Sequence, residues 1–146
     1  MKKYSQMNVV KVLKKGGKSK YVNLMENNIV KKKYDRRIPE HVTAYNHEIQ
    51  VLKYLESKGC PFVPRIVCAI PHKYTIFMTY CGTQPHDNRI TQQKISTLAK
   101  TLHNDFQVVR LEDNKITYKI HPKNCCWEKG KYFLIDFGSP LWNIVK

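Results

Sequence analysis

The chain carries the stretch FLIDFGSPLW at residues 133–142, and the residues before it can be interpreted from there. Its apolar run ends in Asp136, and Phe137 and Gly138 follow directly. A short apolar run is typical of a buried strand, so the carboxylate comes at the point where the strand ends. A carboxylate in that place is typical of a cleft that holds phosphate and Mg²⁺, an ion that prefers oxygen ligands. The stretch therefore predicts a strand end that faces a phosphate site.

The residues before this stretch predict a helix, a hairpin and a short strand. Thr91 can cap the helix. Apolar residues then recur at helical spacing, and this buried stripe comprises Ile95, Leu98, Ala99, Leu102 and Phe106. The segments FQVVRL and KITYKI flank the turn EDN, which favours a hairpin over residues 106–120. KYFLID, residues 131–136, is then the short strand that ends at Asp136.

The first eighty residues predict five strands with one helix inserted after the third. Val-rich segments separated by turns favour three short antiparallel strands over residues 7–14, 21–25 and 29–34. Residues 65–70 and 74–80 predict a β-hairpin around the turn PHK. The chain is therefore expected to begin with the five-stranded antiparallel sheet of an α+β fold.

The inserted helix is predicted to begin at Pro39 and to end at Gly59. Its apolar residues recur at steps of three and four, and this face comprises Val42, Tyr45, Ile49, Leu52 and Leu55. The polar connector CGTQPHDN, residues 81–88, is the predicted boundary between two lobes, residues 1–82 and 83–146.

Composition and cysteine usage exclude several classes of protein. The 146 residues are 42% hydrophobic and 25% charged, which predicts a packed core. No apolar run reaches 18 residues, and the first 15 residues carry too short an apolar segment for a signal peptide. Five cysteines without a C-x-x-C pair argue against a disulfide framework or a zinc site. We therefore expect a cytoplasmic protein that does not bind a membrane.

The positive charge is concentrated at the start of the chain. The formal net charge is +15, and residues 1–37 hold twelve basic and two acidic residues. Such an excess attracts polyanions such as nucleic acid, acidic proteins or nucleotide phosphates. A solvated, lysine-rich surface explains the pattern equally well, and the sequence leaves both interpretations open.

The order of the elements, together with Asp136, Phe137 and Gly138, resembles the protein-kinase-like family. The resemblance covers the small lobe and only the first part of the large lobe, so the chain is similar to a minimal, truncated kinase or pseudokinase. It implies an α+β fold with a five-stranded antiparallel small lobe, one inserted helix and a truncated large lobe. It also implies ATP and Mg²⁺ as ligands. The compact size and the truncation resemble those of proteins from a large DNA virus or another streamlined genome, and a viral origin would imply a host-cytoplasmic or virion location.

The resemblance implies a lysine on the third strand, beside the phosphates, and an acidic partner on the inserted helix. Lys31 and Glu48 occupy these places. Because successive side chains of a strand point to opposite faces, Lys32 or Lys33 could be the inward lysine instead. As separate residues, the lysine and the glutamate are also typical of solvated surfaces.

The resemblance further implies the nucleotide and metal contacts. In the strand YTIFMTYCG, Met78 would be the gatekeeper, and backbone groups from Thr79 to Cys81 would contact the edge of adenine. Asn124 of the loop HPKN and Asp136, twelve positions later, would hold Mg²⁺ between them.

The glycine-rich loop of the family is poorly matched. If Val22 covers the adenine, the family's three glycines fall where this chain has Lys15, Gly17 and Lys20, with an additional Gly16. A lysine-rich loop can hold phosphates by charge, although less of its backbone can approach them closely. The same residues are also compatible with a simple turn.

The catalytic loop departs further from the family. Five positions before Asn124, where the family has its catalytic aspartate, the chain has Lys119. An ammonium cannot accept a proton from a substrate hydroxyl, and it repels metal ions. His121 stands where the family often has a phosphate-neutralising lysine. Asp105 and Asp113 are candidate substitutes for the base, although Asp113 is also a typical turn residue.

The truncation implied by the resemblance predicts an exposed apolar patch formed by Phe133, Ile135, Leu141, Trp142 and Ile144. Such a patch favours self-association, or a protein partner, through the truncated large lobe.

Three functions follow from these expectations. The first is an ATP- and Mg²⁺-binding protein with weak or no phosphotransfer, which acts through a partner. The second is an active atypical Ser/Thr protein kinase with a relocated base, either His121 or Asp113. The third, from a different class, is a nucleic-acid-binding protein that uses the basic N-terminal third.

Overall fold

The computed structural model describes residues 7–145. Its strands are β1 (Val9–Lys15), β2 (Tyr21–Met25), β3 (Ile29–Lys33), β4 (Ile66–Ile70), β5 (Thr75–Thr79), β6 (Val108–Glu112), β7 (Lys115–Thr117), β8 (Cys125–Glu128), β9 (Lys131–Leu134) and β10 (Trp142–Ile144). Its helices are α1 (Pro39–Ser57) and α2 (Arg89–Phe106). Residues 1–6 and 146, which belong to the two predicted lobes and to the basic N-terminal third, lie outside the described residues.

The first five strands form one antiparallel sheet in the order β1-β2-β3-β5-β4, which confirms the predicted α+β class and its five-stranded sheet. Because β5 pairs with β3, helix α1 crosses over between them. Val30 and Lys32 of β3 and Tyr34 directly after it alternate in sequence, are all buried, and share the face that packs against α1.

Helix α1 begins at the predicted proline, because a proline at the first helical position needs no hydrogen-bonded N–H. The helix ends before Gly59, whose φ of +74° suits glycine. Its buried face lies slightly off the predicted one. Val42 and Ile49 are half-buried, and the buried residues are His41, Ala44, Tyr45, Glu48, Val51, Leu52 and Leu55.

Helix α2 is capped by Asn88 and not by Thr91, so the predicted cap was wrong by three positions. The Asn88 side chain accepts a hydrogen bond of 2.9 Å from the backbone N–H of Thr91. Thr91 is itself buried within the first turn, where its hydroxyl cannot cap the helix. The predicted stripe is otherwise confirmed at Ile95, Ala99 and Leu102, all of which are buried.

The second half of the chain adds two small sheets, with orders β10-β6-β7 and β8-β9. The predicted hairpin around EDN is β6–β7. Strand β10 pairs with β6, and His47 of α1 donates from Nε2 to the carbonyl oxygen of Trp142 at 2.7 Å. These contacts bury Trp142 to 1% exposure.

The predicted exposed patch was therefore wrong. Besides Trp142, its other members, Phe133, Ile135, Leu141 and Ile144, are half-buried. The physical reason is that β10 pairs with β6, so that Trp142 and Ile144 pack against the core. Two hydrophobic clusters result, one between α1, α2 and the C-terminal strands, and one between α1 and the five-stranded sheet. Neither of the two described helices is long and apolar enough to span a membrane.

Candidate functional site

A cavity of about 500 Å³ lies between the five-stranded sheet and the segment that carries Asp136. Val22, Val30 and Met78 of the sheet form its apolar wall. On the opposite side it is lined by the start of β8 and by Ile135 and Asp136, which follow β9. The strand end predicted from FLIDFG therefore faces a cavity.

Lys32 joins the two halves of the chain at the inner end of this cavity. Its Nζ lies 2.9 Å from Glu48 Oε1 on α1 and 2.9 Å from Asp136 Oδ1. The side chains of Lys32 and Glu48 are 9% and 1% exposed, whereas that of Asp136 is 30% exposed. One ammonium thus bridges two carboxylates, and only Asp136 remains open to a ligand.

Both carboxylate oxygens of Glu48 accept hydrogen bonds. Tyr34 donates its hydroxyl to Glu48 Oε1 at 2.6 Å, and the backbone N–H of Phe137 donates to Oε2 at 3.1 Å. A buried carboxylate is costly unless such partners compensate it, and here both oxygens have partners. Glu48 therefore links β3, α1 and the residue after Asp136 in one polar cluster.

The charges of this cluster are stabilised by one another. Burial alone would lower the pKa of Lys32, but the attraction of Glu48 and Asp136 raises it well above the ordinary value of 10.5. Burial would raise the pKa of Asp136, but Lys32, with weaker contributions from Lys14 and Lys18, holds it below 3.8. Burial and the charge of Glu48 raise the pKa of the Tyr34 hydroxyl. The lysine is therefore charged, and Asp136 is ionised, at neutral pH.

The backbone around Asp136 is specialised. Asp136 has a φ of +69°, a backbone angle that is uncommon for residues other than glycine. Phe137 is fully buried, and its ring lies 4.8 Å from that of Trp142, measured between centroids. A Cβ atom at Gly138 would lie 3.0 Å from the Tyr34 hydroxyl oxygen and 3.2 Å from the carbonyl oxygen of Ala44. The glycine is thus needed for close packing against α1, and the phenylalanine anchors the turn.

The expected pairing of Lys31 with Glu48 is wrong, because Lys32 is the inward lysine. Lys31 lies on the other face of β3, where its Nζ is 5.7 Å from the centroid of the Tyr21 ring. The sequence contained a signal for the correct residue. The apolar residues Val30 and Tyr34 lie two positions before and two positions after Lys32, so the three side chains point to the same face of the strand.

The other expected nucleotide contacts divide into two groups. Val22, Met78, Thr79 and Cys81 all line the cavity. Gly16 and Gly17 are not among the lining residues; they belong to the β1–β2 turn, in which Gly17 contacts His41 of α1.

His41 holds this turn against α1. His41 Nε2 donates to the carbonyl oxygen of Gly17 at 3.1 Å, while Nδ1 accepts from the backbone N–H of Asp35 at 2.9 Å. The cavity is lined in this region by Lys14, Lys18 and Ser19, which were not among the predicted site residues. The sequence feature that could have indicated these residues is the high lysine content of the turn.

The expected metal pair is brought only partly together. The carbonyl oxygen of Asn124 accepts from the N–H of Ile135 at 3.0 Å, which places the HPKN loop beside the strand end. However, the cavity is lined by the neighbours of Asn124, Lys123 and Cys125, rather than by Asn124 itself. Within residues 7–145, no group of three or more His, Cys, Asp or Glu side chains is arranged to hold a metal ion.

The expected catalytic-loop residues lie away from the cavity. Lys119 is exposed and borders a shallow groove along α2. His121 is also exposed, and its Nδ1 accepts from the N–H of Lys123 at 3.0 Å, so the neutral ring carries its proton on Nε2. Asp113 has a φ of +51° in the β6–β7 turn, and Asp105 is exposed near the end of α2. None of these four side chains is among those that line the cavity.

Comparison with known proteins adds no assignment: a scan against protein-family models finds no match, and a search of curated protein sequences finds no similar protein. The functional interpretation therefore depends on the geometry of the cavity.

Proposed function

We propose that this chain is a protein-kinase-like nucleotide-binding protein with little or no phosphotransfer activity. In this proposal residues 1–82 act as the small lobe, residues 83–146 as the beginning of the large lobe, and ATP binds in the cavity between them. The observation that carries the proposal is Lys32, held at 2.9 Å from both Glu48 and Asp136 at the inner end of that cavity.

The cavity has the size and chemistry that a nucleotide requires. Its volume of about 500 Å³ falls within the range of small-molecule sites, roughly 300–1,000 Å³. Val22, Val30 and Met78 offer apolar surface to a base, next to the connector at Thr79 to Cys81. Lys32 then lies at the end where phosphate groups would be neutralised. An apolar wall that leads to a fixed ammonium is well suited to a base joined to phosphates.

The residues present fit Mg²⁺ less well than they fit ATP. Glu48 is buried with both oxygens engaged, and Asp136 already binds Lys32 through one oxygen. Mg²⁺ is usually held by one or two carboxylates together with phosphates and water, and Asp136 alone could supply such a contact. No step of the proposed function is therefore derived through a metal ion.

Weak phosphotransfer follows from the absence of a base near the phosphates. The acids among the described lining residues are Glu48 and Asp136, and both are bonded to Lys32. A general base typically contributes about 10²–10⁴-fold to a rate. The candidate bases, His121, Asp105 and Asp113, do not line the cavity, which favours a binding role, exercised through a protein partner, over an active kinase.

The test is ATP binding by the full chain, measured by isothermal titration calorimetry. Val22→Trp should fill the cavity and weaken binding at least about tenfold, because an indole cannot share the space with a base. Val12→Trp is the matched control, since Val12 is 56% exposed and does not line the cavity. Unchanged binding by Val22→Trp, or no ATP binding by the wild type, would refute the proposal.

Phosphotransfer is tested separately with γ-labelled ATP and a generic protein substrate. We expect incorporation close to background for the wild type. Incorporation that is robust in the wild type and lost in Asp136→Ala would instead establish the active-kinase alternative.

A further inference from the structure

The cavity proposed to hold a nucleotide is strongly positive. Its described lining includes five lysines, namely Lys11, Lys14, Lys18, Lys32 and Lys123, against the two acids Glu48 and Asp136. Both acids are already bonded to Lys32. One ammonium cannot neutralise two carboxylates, so five lysines against two acids leave a net formal charge of +3 in the described lining.

The other four lysines of the lining come from two separate parts of the chain. Lys11 and Lys14 belong to β1 and Lys18 to the turn after it, whereas Lys123 comes from the loop before β8. In the described part of the chain, none of these four forms an ion pair. Four free ammonium groups around one cavity form an arrangement that attracts a compact polyanion.

The same cavity offers few ligands to a divalent cation. Glu48 Oε1 binds Lys32 and Tyr34, and Glu48 Oε2 accepts from the backbone of Phe137. Asp136 is left with one oxygen that does not contact Lys32. A cation at that oxygen would also be repelled by the lysines that face the cavity.

We propose that this cavity binds the triphosphate of a nucleotide without a metal ion, with Lys14, Lys18 and Lys123 neutralising the charge that Mg²⁺ usually neutralises. This inference rests on the proposed function, because it presupposes a nucleotide in the cavity. Lysine is well suited to the role, since its ammonium is a compact point charge with three donors on a flexible stem. The lysine-rich turn then acts by charge, in place of the close backbone contacts of a glycine-rich loop.

The experiment compares ATP binding to the full chain in excess EDTA and in MgCl₂ at equal ionic strength, again by calorimetry. We expect dissociation constants that agree within about threefold, and competition by inorganic tripolyphosphate in EDTA. Binding that requires MgCl₂ would overturn this inference and leave the proposed function standing. An absence of binding in both buffers would overturn both.

Two double variants with the same net charge test the lysines themselves. Lys14→Ala with Lys18→Ala should weaken binding in EDTA by about tenfold for each lysine that contacts phosphate, because hydrogen bonds to charged groups are strong. Lys15→Ala with Lys20→Ala is the matched control, since these lysines are exposed and do not line the cavity. The control should change affinity by less than about twofold. Equal losses in the two pairs would show a general charge effect and refute the assigned site, and circular dichroism would verify that all variants fold.

Discussion

Lys32 differs from the lysines on either side of it only by where its side chain points. It is buried against Glu48 and Asp136, whereas Lys31 lies over aromatic rings on the opposite face of β3. A buried lysine is tolerated only when it is paired and hydrogen-bonded, and here two carboxylates compensate it. The function proposed for the cavity therefore depends on the direction of one side chain.

This difference predicts the stability of two neighbouring variants. Lys32→Met should lower the free energy of unfolding by about 3–5 kcal/mol, because it leaves Glu48 buried without its cation. Lys31→Met should cost less than about 1 kcal/mol, the range of exposed cation–π contacts. Urea unfolding followed by circular dichroism measures both. Equal losses would contradict the inward assignment of Lys32.

At the scale of the elements, β10 determines how the second half of the chain is closed. It pairs with β6, receives a hydrogen bond from α1 at Trp142 and packs the Trp142 ring against Phe137. Since Phe137 follows Asp136 directly, β10 also supports the backbone that presents Asp136 to the cavity. A short strand far along the chain thus contributes to the geometry of the site.

Trp142→Ala should destabilise the protein by about 3–5 kcal/mol, because it removes a large, fully buried ring from the core. Trp142→Phe should cost less, since it keeps an aromatic ring and removes the indole N–H, which is buried without a hydrogen-bond partner among the described residues. Val145→Ala, at a 44% exposed position nearby, is the control. Thermal unfolding measures the loss of stability in each of the three variants. A small loss in Trp142→Ala would indicate that β10 is not part of the core.

For the whole molecule, the excess of positive charge and the buried cluster act on different properties. The net charge of +15 favours association with anions, and its effect falls as salt increases. In the cluster of Lys32, Glu48 and Asp136, the lysine and the glutamate are shielded from solvent, and the cluster links the sheet, α1 and the segment after β9. Its contribution to stability is therefore expected to respond to pH more than to salt.

The lowered pKa of Asp136 contributes stability that is complete above its unfolded value of 3.8 and is lost as the pH falls through the folded value. The raised pKa of Lys32 contributes stability that is complete below 10.5 and is lost as the pH rises through the folded value. Asp35 also contributes stability that is lost at acidic pH, because its hydrogen bonds with Arg37 hold its pKa below the ordinary value. Taken by themselves, Asp136, Asp35 and Lys32 predict a contribution to stability that is constant between about pH 5 and pH 9.

The variant Asp136→Asn isolates the contribution of Asp136 to the pH dependence of stability. The difference in unfolding free energy between wild type and Asp136→Asn should be largest near neutral pH and should shrink as the pH drops below about 3.8. Urea titrations at a series of pH values measure this difference. A difference that stays constant down to pH 2 would show that Asp136 does not titrate as the structure indicates.

The sequence by itself determined the order of the elements from β1 to β7, the sheet class, the start of α1 and the presence of Asp136 after a short strand. These features depend on local signals: strand and helix periodicity, turn residues, Pro39 and an apolar run. It also placed Glu48 on the inserted helix, and Val22 and Met78 on strands that prove to line the cavity.

Only the tertiary structure decided which carboxylates the inward lysine contacts and whether Trp142 is exposed. The alternation with Val30 and Tyr34 indicates that Lys32 points inward, but its bonds to Glu48 on α1 and to Asp136 after β9 join segments that are distant in the chain. Trp142 is buried because β10 pairs with β6, more than thirty positions earlier in the chain. Both outcomes follow from contacts between distant segments, and local propensity does not encode such contacts.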